Sequence, residues 1–287
     1  EMLRSLVGSE MCIRDRFTGK ATPKTCYPLG SVLTIAAAGS EMSNSCVITN
    51  EEGWYKKALD TDLARPKFAI MNPEITYTLP DYQTQCGCAD IMMHTMERYF
   101  VLEDTMEITD KIAQDVMKNV MKYAQILKKD PKNYEARAEI MWCGSLSHNG
   151  LTGCGTCGGD WATHLIEHEL GGMFDVAHGA GLAAVWGSWA RYVMDEKPER
   201  FAQFAVNVMG VEECEDIKAT AIKGIEAVED FYREIEMPTN LKELGIDPTD
   251  EQIKDMAMKA TNNDTQQLGA FKKLSAKDLV EIYTAAK

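Results

Sequence analysis

The sequence predicts an α+β protein in two unequal parts, and three observations carry that expectation. Short runs rich in Val, Ile and Thr, bounded by Gly, Asn or Pro, occupy the chain up to about residue 80. Long segments with helical periodicity fill the rest, with Pro131, Pro198 and Pro238 at breaks or first turns. Three of the five histidines fall in one stretch, Asp160 to His178 (DWATHLIEHELGGMFDVAH).

Composition narrows the function classes. A chain of 287 residues that is 45% hydrophobic can build a substantial core. A formal net charge of −14 argues against nucleic acid and anionic membrane as partners. Nine cysteines without a leader that reads as a signal peptide suit a reducing cytosol, so a cytoplasmic location is expected. The longest apolar stretch, Gly179 to about Trp189, is too short to span a bilayer.

In chain order, residues 1–16 share no pattern with the remainder of the chain. Their core, GSEMCIRDR, resembles a translated sequencing-adapter read-through, so a non-native or disordered tail is expected, with the native sequence starting near Phe17. Residues 17–80 hold three strand candidates, SVLTIAA, SCVITN and KFAIMNP. Three strands with little helix between them are too few for an independent α/β domain, so this region reads as part of a sheet. Residues 81–287 form the helical domain, with helices expected near 81–102, 107–128, 132–150, 160–170, 179–194, 198–208, 214–234, 250–260 and 275–286. No repeat at a fixed period is evident, which argues against a solenoid.

The chemistry centres on the histidines. His164 and His168 lie four apart, on one face of a helix that Asp160 could cap. An unbroken helix would carry His178 about 21 Å from His164. Gly171-Gly172 offers a place for the helix to stop and the chain to fold back. Upstream, Asp90 and His94 form a second i,i+4 pair inside an apolar helix, costly to bury without a partner. One carboxylate and up to three imidazoles suit Zn²⁺ or Fe²⁺. His148 reads as structural. Cys154-Gly-Thr-Cys157 lacks the second pair of a zinc ribbon and the βαβ setting of a redox motif. The glycines from Gly150 to Gly159 fit no phosphate-loop pattern and read as a flexible loop over a site.

Gly39-Ser40-Glu41-Met42 after a strand, Thr78-Leu79-Pro80, Asp90-x-x-x-His94-x-x-Glu97, and His164-x-x-x-His168 followed by His178-Gly179 together resemble the iron-containing (group III) alcohol dehydrogenases. RPKFAIMNPEITYTLP, YEARAEIMW and GDWATHLIEHELGGMFDVAHGAG are similar to the butanol dehydrogenase-like branch, and the resemblance runs from about residue 24 to the C-terminus. It implies that residues 17–80 are part of a Rossmann-like dinucleotide-binding domain and that residues 81–287 are the metal-binding catalytic domain. It implies Asp90, His94, His164 and His178 as metal ligands, with His168 the non-ligand, catalytic histidine near the nicotinamide, where it could relay a proton to solvent. Thr34, Gly39, Ser40, Glu41 and Leu79 would lie on the cofactor side. Ala37-Ala38 stands before Gly39-Ser40 where the family usually has a threonine hydroxyl, and the family's lysine after the second strand corresponds to Lys56 or Lys57. The family's Gly-Gly-Gly-Ser pyrophosphate loop occurs nowhere in the sequence.

What the resemblance implies about function is an NAD(P)-dependent alcohol dehydrogenase or aldehyde reductase. Its expected metal is Fe²⁺, with Zn²⁺ the alternative, and the branch favours NADPH. The substrate would be a small alcohol or aldehyde and the full-length protein a homodimer. Because the pyrophosphate loop is absent, the chain is expected to be N-terminally truncated and impaired in turnover. Two rivals stand beside this reading: a helical metal-dependent phosphohydrolase, which would need a second metal or further carboxylates, and a structural metal module with a closed four-ligand site.

Overall fold

The structure is a computed structural model, and it describes residues 15–103 and 107–287. The reading of residues 1–16 as a tail falls almost entirely on residues 1–14, outside the described residues.

Among the described residues the β part is two separate two-stranded sheets, where the sequence suggested pieces of one. Strand β1 (Gly30–Val32) runs parallel to β4 (Phe68–Ile70), with Ser31 opposite Ala69. Strands β2 (Ser45–Asn50) and β3 (Tyr55–Asp60) form an antiparallel hairpin, in register from Ser45↔Asp60 to Asn50↔Tyr55. Gly53 and Trp54 turn it with positive φ. β3 was not expected, because its sequence, YKKALD, centres on two lysines that read as a polar loop.

Nine α-helices come next among the described residues: α1 (Asp81–Tyr99), α2 (Glu107–Lys129), α3 (Tyr134–His148), α4 (Ala162–Phe174), α5 (His178–Val193), α6 (Pro198–Asn207), α7 (Ile217–Glu234), α8 (Asp250–Ala260) and α9 (Ala276–Ala285). Local chemistry sets their starts. Asn133 and Asp216 accept hydrogen bonds from first-turn amides of α3 and α7, and Thr249 and Ser275 form reciprocal capping boxes on α8 and α9. Pro198 takes the first position of α6, where its missing N–H costs nothing.

Helix α1 is the axis of the domain. Every residue from Thr84 to Tyr99 is buried, so it is not the amphipathic surface helix that its length suggested. It packs against α2, α3 and α5, while α4 lies on α5 and α8, and α6 pairs with α7. The end of α1 runs into an aromatic core in which Phe100 stacks on Phe201 at 4.4 Å and also meets Trp186, Trp189 and Phe204. Arg200 covers the Tyr99 ring at 3.6 Å and pairs with Asp110, so its buried charge is matched on both sides. Burial of each such aromatic contributes about 2–3 kcal/mol.

Two glycines let neighbouring backbones close on α1. A Cβ at Gly87 would lie 2.2 Å from the carbonyl oxygen of Ala36, in the loop after β1. One at Gly179, in the first turn of α5, would lie 1.9 Å from the carbonyl oxygen of Cys86. The second contact draws the start of α5, and with it His178, onto α1.

The turn between α4 and α5 lies later than expected. Helix α4 runs straight through Gly171-Gly172 to Phe174, and Asp175, in the left-handed conformation, ends it. Asp160 also acts differently from a simple N-cap. Trp161 occupies the cap position with positive φ, while Asp160 accepts from the amide of Ala162 at 3.0 Å and from Ala270 and Phe271. One carboxylate thus starts α4 and pins the loop before α9.

Candidate metal centre

The i,i+4 spacing on α1 places Asp90 and His94 on one face, and their side chains meet with His94 Nδ1 3.4 Å from Asp90 Oδ1. Helix α4 brings His164 across the same carboxylate, with Nε2 3.7 Å from Asp90 Oδ1. The first residue of α5 brings His178, whose Nε2 is also 3.7 Å from Asp90 Oδ1. Donor atoms of Asp90, His164 and His178 all lie within 4.8 Å of one another. His94 belongs to the cluster through its rings: it stacks on His164 at 4.6 Å but is not in that mutual set. His168 lies beside the cluster, its ring 5.8 Å from that of His178.

The donor set fits a divalent cation on its own evidence. Asp90 Oδ1, His94 Nδ1 and His164 Nε2 are buried and have no hydrogen-bond partner. Such groups are rare inside proteins unless something else satisfies them. Two of them, Asp90 Oδ1 and His164 Nε2, belong with His178 to the mutual set and form a cradle suited to a metal with oxygen and imidazole ligands, while His94 Nδ1 faces the same carboxylate from along α1.

Carboxylates behind the histidines fix their orientation. Glu97, about two turns beyond Asp90 on α1, accepts from both the backbone N–H and Nδ1 of His164, at 3.0 and 3.1 Å. Its other oxygen accepts from the amide of Trp161, so one residue caps α4 and aims His164. Glu167, buried on α4, accepts from Nδ1 of His178 and from Lys56 Nζ at 3.3 Å. Because a carboxylate can only accept, Nδ1 carries a proton in both histidines, and it is Nε2, facing Asp90, that would offer its lone pair to a metal.

The electrostatics follow from this packing. Burial works against the charge of Asp90, but the imidazoles of His94, His178 and His164 outweigh it and hold the carboxyl below its usual range. Burial also opposes a charge on His164, yet the carboxylates of Asp90 and Glu97 beside it raise it to about 9. Burial, reinforced by His164, His148 and Arg98, pushes His94 well below the ordinary imidazole value. It drives His168 down to about 3, far from the near-neutral value expected of a proton relay.

The cofactor-side residues are placed unevenly. Thr34 and Ser40 are exposed, and Leu79 is half-buried beside a small cavity shared with Ala36 and Thr76. Gly39, with φ +59, packs its backbone against His148, and Glu41 is buried and accepts from Ser145 Oγ at 2.5 Å. Lys56, not Lys57, reaches the histidine cluster. His148 stands closer to the site than its structural reading suggested: its ring meets His94 edge-on at 4.4 Å. Cys154 and Cys157 are exposed free thiols in the loop before α4. Sequence reasoning missed Glu167 altogether, although a carboxylate in an apolar helix between two histidines carries the same burial cost that marked Asp90.

Fold and donor set together define a helical metal-binding domain joined to a small α/β part. Residues 84–287 match the Fe-containing alcohol dehydrogenase family, C-terminal, and residues 4–73 match the iron-containing alcohol dehydrogenase family. The probable NADH-dependent butanol dehydrogenase 1 of Bacillus subtilis is 37% identical over 95% of this chain and 69% of its own length. NADH-dependent butanol dehydrogenase A of Clostridium acetobutylicum is 35% identical over 89% of this chain and 65% of its own. The crystal structure of NADH-dependent butanol dehydrogenase A from Thermotoga maritima superposes with a TM-score of 0.90 at 35% identity, over 97% of this chain and 70% of that one. The chain spans about two thirds of the length of these relatives. It belongs to the iron-containing alcohol dehydrogenase family, in the butanol dehydrogenase-like branch.

Proposed function

We propose that the protein is a metal-dependent alcohol dehydrogenase or aldehyde reductase, moving a hydride between NAD(P)(H) and a small primary alcohol or aldehyde. The observation that carries this reading is the convergence of Asp90, His164 and His178 on one buried point, with unpartnered donor atoms, in a chain of this family. His94 completes the ligand set, with Fe²⁺ the expected metal and Zn²⁺ the alternative. When bound, the metal supplies Lewis acidity toward the substrate oxygen and the nicotinamide supplies or accepts the hydride. The protein's own residues do the rest. Glu97 and Glu167 hold His164 and His178 in the tautomer that leaves Nε2 as donor. The buried packing around α1 excludes water from the carboxylate. His168 is the proposed catalytic histidine outside the ligand set; burial keeps it neutral beside His178, so it would act by orienting a group rather than by holding a proton.

Thr34, Gly39, Ser40, Glu41 and Leu79 are proposed to line the nicotinamide side, a reading supported by Gly39 packing against His148, whose ring meets His94. The relatives named above are NADH-dependent by name, so NADH stands beside the NADPH expected from the branch. A homodimer is proposed for the whole enzyme.

The test has two arms. Butanal reduction with NADH and with NADPH is measured in a chain extended to the length of the relatives, and metal content is measured in the same preparation. His164→Ala and His178→Ala should each lose the metal and nearly all turnover together, while His168→Ala keeps the metal and loses rate. Equal metal loss in all three would refute this division of roles, and the absence of any butanal-dependent oxidation would sink the reading. The 287-residue chain alone is expected to bind the metal but turn over little, because it contains no glycine-rich pyrophosphate loop.

A further inference from the structure

Glu167 sits on the far side of His178 from the Asp90 cluster. It is buried, and one oxygen takes two cation-side partners, Nδ1 of His178 and the ammonium of Lys56 at 3.3 Å. Lys56 comes from β3, so this bond joins the β2–β3 hairpin to the metal domain across 111 positions of sequence.

The backbone around these residues is cut away to admit them. A Cβ at Gly171 would lie 2.7 Å from Lys56 Nζ and 2.9 Å from Glu167 Oε1. At Gly172 it would lie 2.9 Å from the carbonyl oxygen of Trp54, in the hairpin turn, and at Gly181 2.8 Å from Glu167 Cγ. The glycine pair therefore serves as a seat for the hairpin on an unbroken α4. Three glycines on two helices open toward one carboxylate and one hairpin.

Glu167, His168 and His178 also place donor atoms within 4.8 Å of one another, a grouping that on distance alone offers a second cation site. The geometry argues against it. Glu167 and His178 are in direct hydrogen-bond contact, leaving no room for an ion between them, and Lys56 already supplies the positive charge.

We propose that Glu167 is a positioning residue for His178 and that Lys56 completes it from the hairpin, so that seating of the β2–β3 hairpin and metal binding are linked. The inference rests on the metal centre proposed above. Its physical basis is the carboxylate–histidine–metal arrangement, in which a carboxylate behind the imidazole fixes ring and tautomer. Linkage then requires reciprocity: whatever seats the hairpin strengthens the metal, and the metal steadies the hairpin.

The test is chelator-competition titration of the 287-residue chain with Zn²⁺, and with Fe²⁺ under anaerobic conditions. Glu167→Gln, which keeps the shape, should weaken affinity by about 10–100-fold. Lys56→Met should weaken it by about tenfold, and the double variant should fall no further than Glu167→Gln alone, because Lys56 acts through Glu167. In the unmutated chain, metal should slow amide exchange across residues 45–60. Unchanged affinity in Glu167→Gln would overturn the positioning role, as would effects of the two substitutions that multiply. Exchange in the hairpin that ignores the metal would overturn the linkage, without relying on any variant. Two metal equivalents per chain would overturn it in favour of the second site, and a chain that binds no metal would remove the metal centre itself.

Discussion

At the scale of the residue, the centre is a contest over one carboxylate. His94, His164 and His178 crowd Asp90 Oδ1 from three helices, and the charges they would carry cannot all be present in so dry a place. The proton stays on His164, raised to about 9 against burial by Asp90 and Glu97. A metal has to displace that proton, so its affinity should climb about tenfold per pH unit up to about 9 and level off above. The same shift bears on folding. A histidine raised above its unfolded value stabilises the metal-free fold fully below about 6.5, and that contribution is lost as pH rises through about 9. Chelator-competition titrations at pH 6, 7, 8 and 9 check the first expectation, and a flat profile would show that the proton sits elsewhere. The i,i+4 pairs Asp90/His94 and His164/His168 stood out in the sequence by helical spacing and burial cost, whereas His178 entered only through the fold-back expected at Gly171-Gly172 and through the resemblance. Glu167 did not stand out, since a glutamate beside a histidine on a helix reads as solvated surface until the third dimension buries it.

At the scale of the element, α1 and the start of α5 decide whether the donors meet. The sequence marked the helices well, because capping residues and prolines act locally and leave their signature in a few adjacent positions. It failed where the reason lay on another element. The hairpin strand β3 hides behind Lys56-Lys57, whose first member points inward to a carboxylate 111 positions away. Gly171-Gly172 reads as a helix stop because only the docked hairpin reveals why bare backbone is needed there. Gly179 gives the sharpest element-scale expectation. Gly179→Ala would drive a Cβ into the backbone carbonyl of Cys86, which has no flexible end to yield. The start of α5 should move off α1, at a cost of about 3 kcal/mol, the upper end for an overpacked core. His178 moves with it, so metal affinity should fall although no ligand has been removed. Thermal melts with and without metal read both effects, and an unchanged melt would show that the contact relaxes freely.

For the whole molecule, order is concentrated in the helical part. Its apolar side chains form one continuous core, whereas Val32, Phe68 and Ile70 on β1 and β4 are about half exposed or more. Among the described residues no helix is long and apolar enough to cross a membrane. The two parts meet at several places, among them Gly87 beneath the loop after β1, Gly39 on His148, Glu41 on Ser145, and Lys56 on Glu167. The thiols around α1 give this arrangement a clock. Burial pushes Cys86 up to about 11 and Cys88 and Cys143 up to about 12, so in the folded chain almost none of each exists as the reactive thiolate. Cys26 and Cys154 are open to reagent throughout. Alkylation followed by peptide mass mapping should therefore modify Cys26 and Cys154 within minutes and the α1 thiols only as fast as the domain opens. Cys86 lies one helical turn from Asp90, so the rate at which it is tagged times how often the innermost wall of the site comes apart, read without any substrate at all.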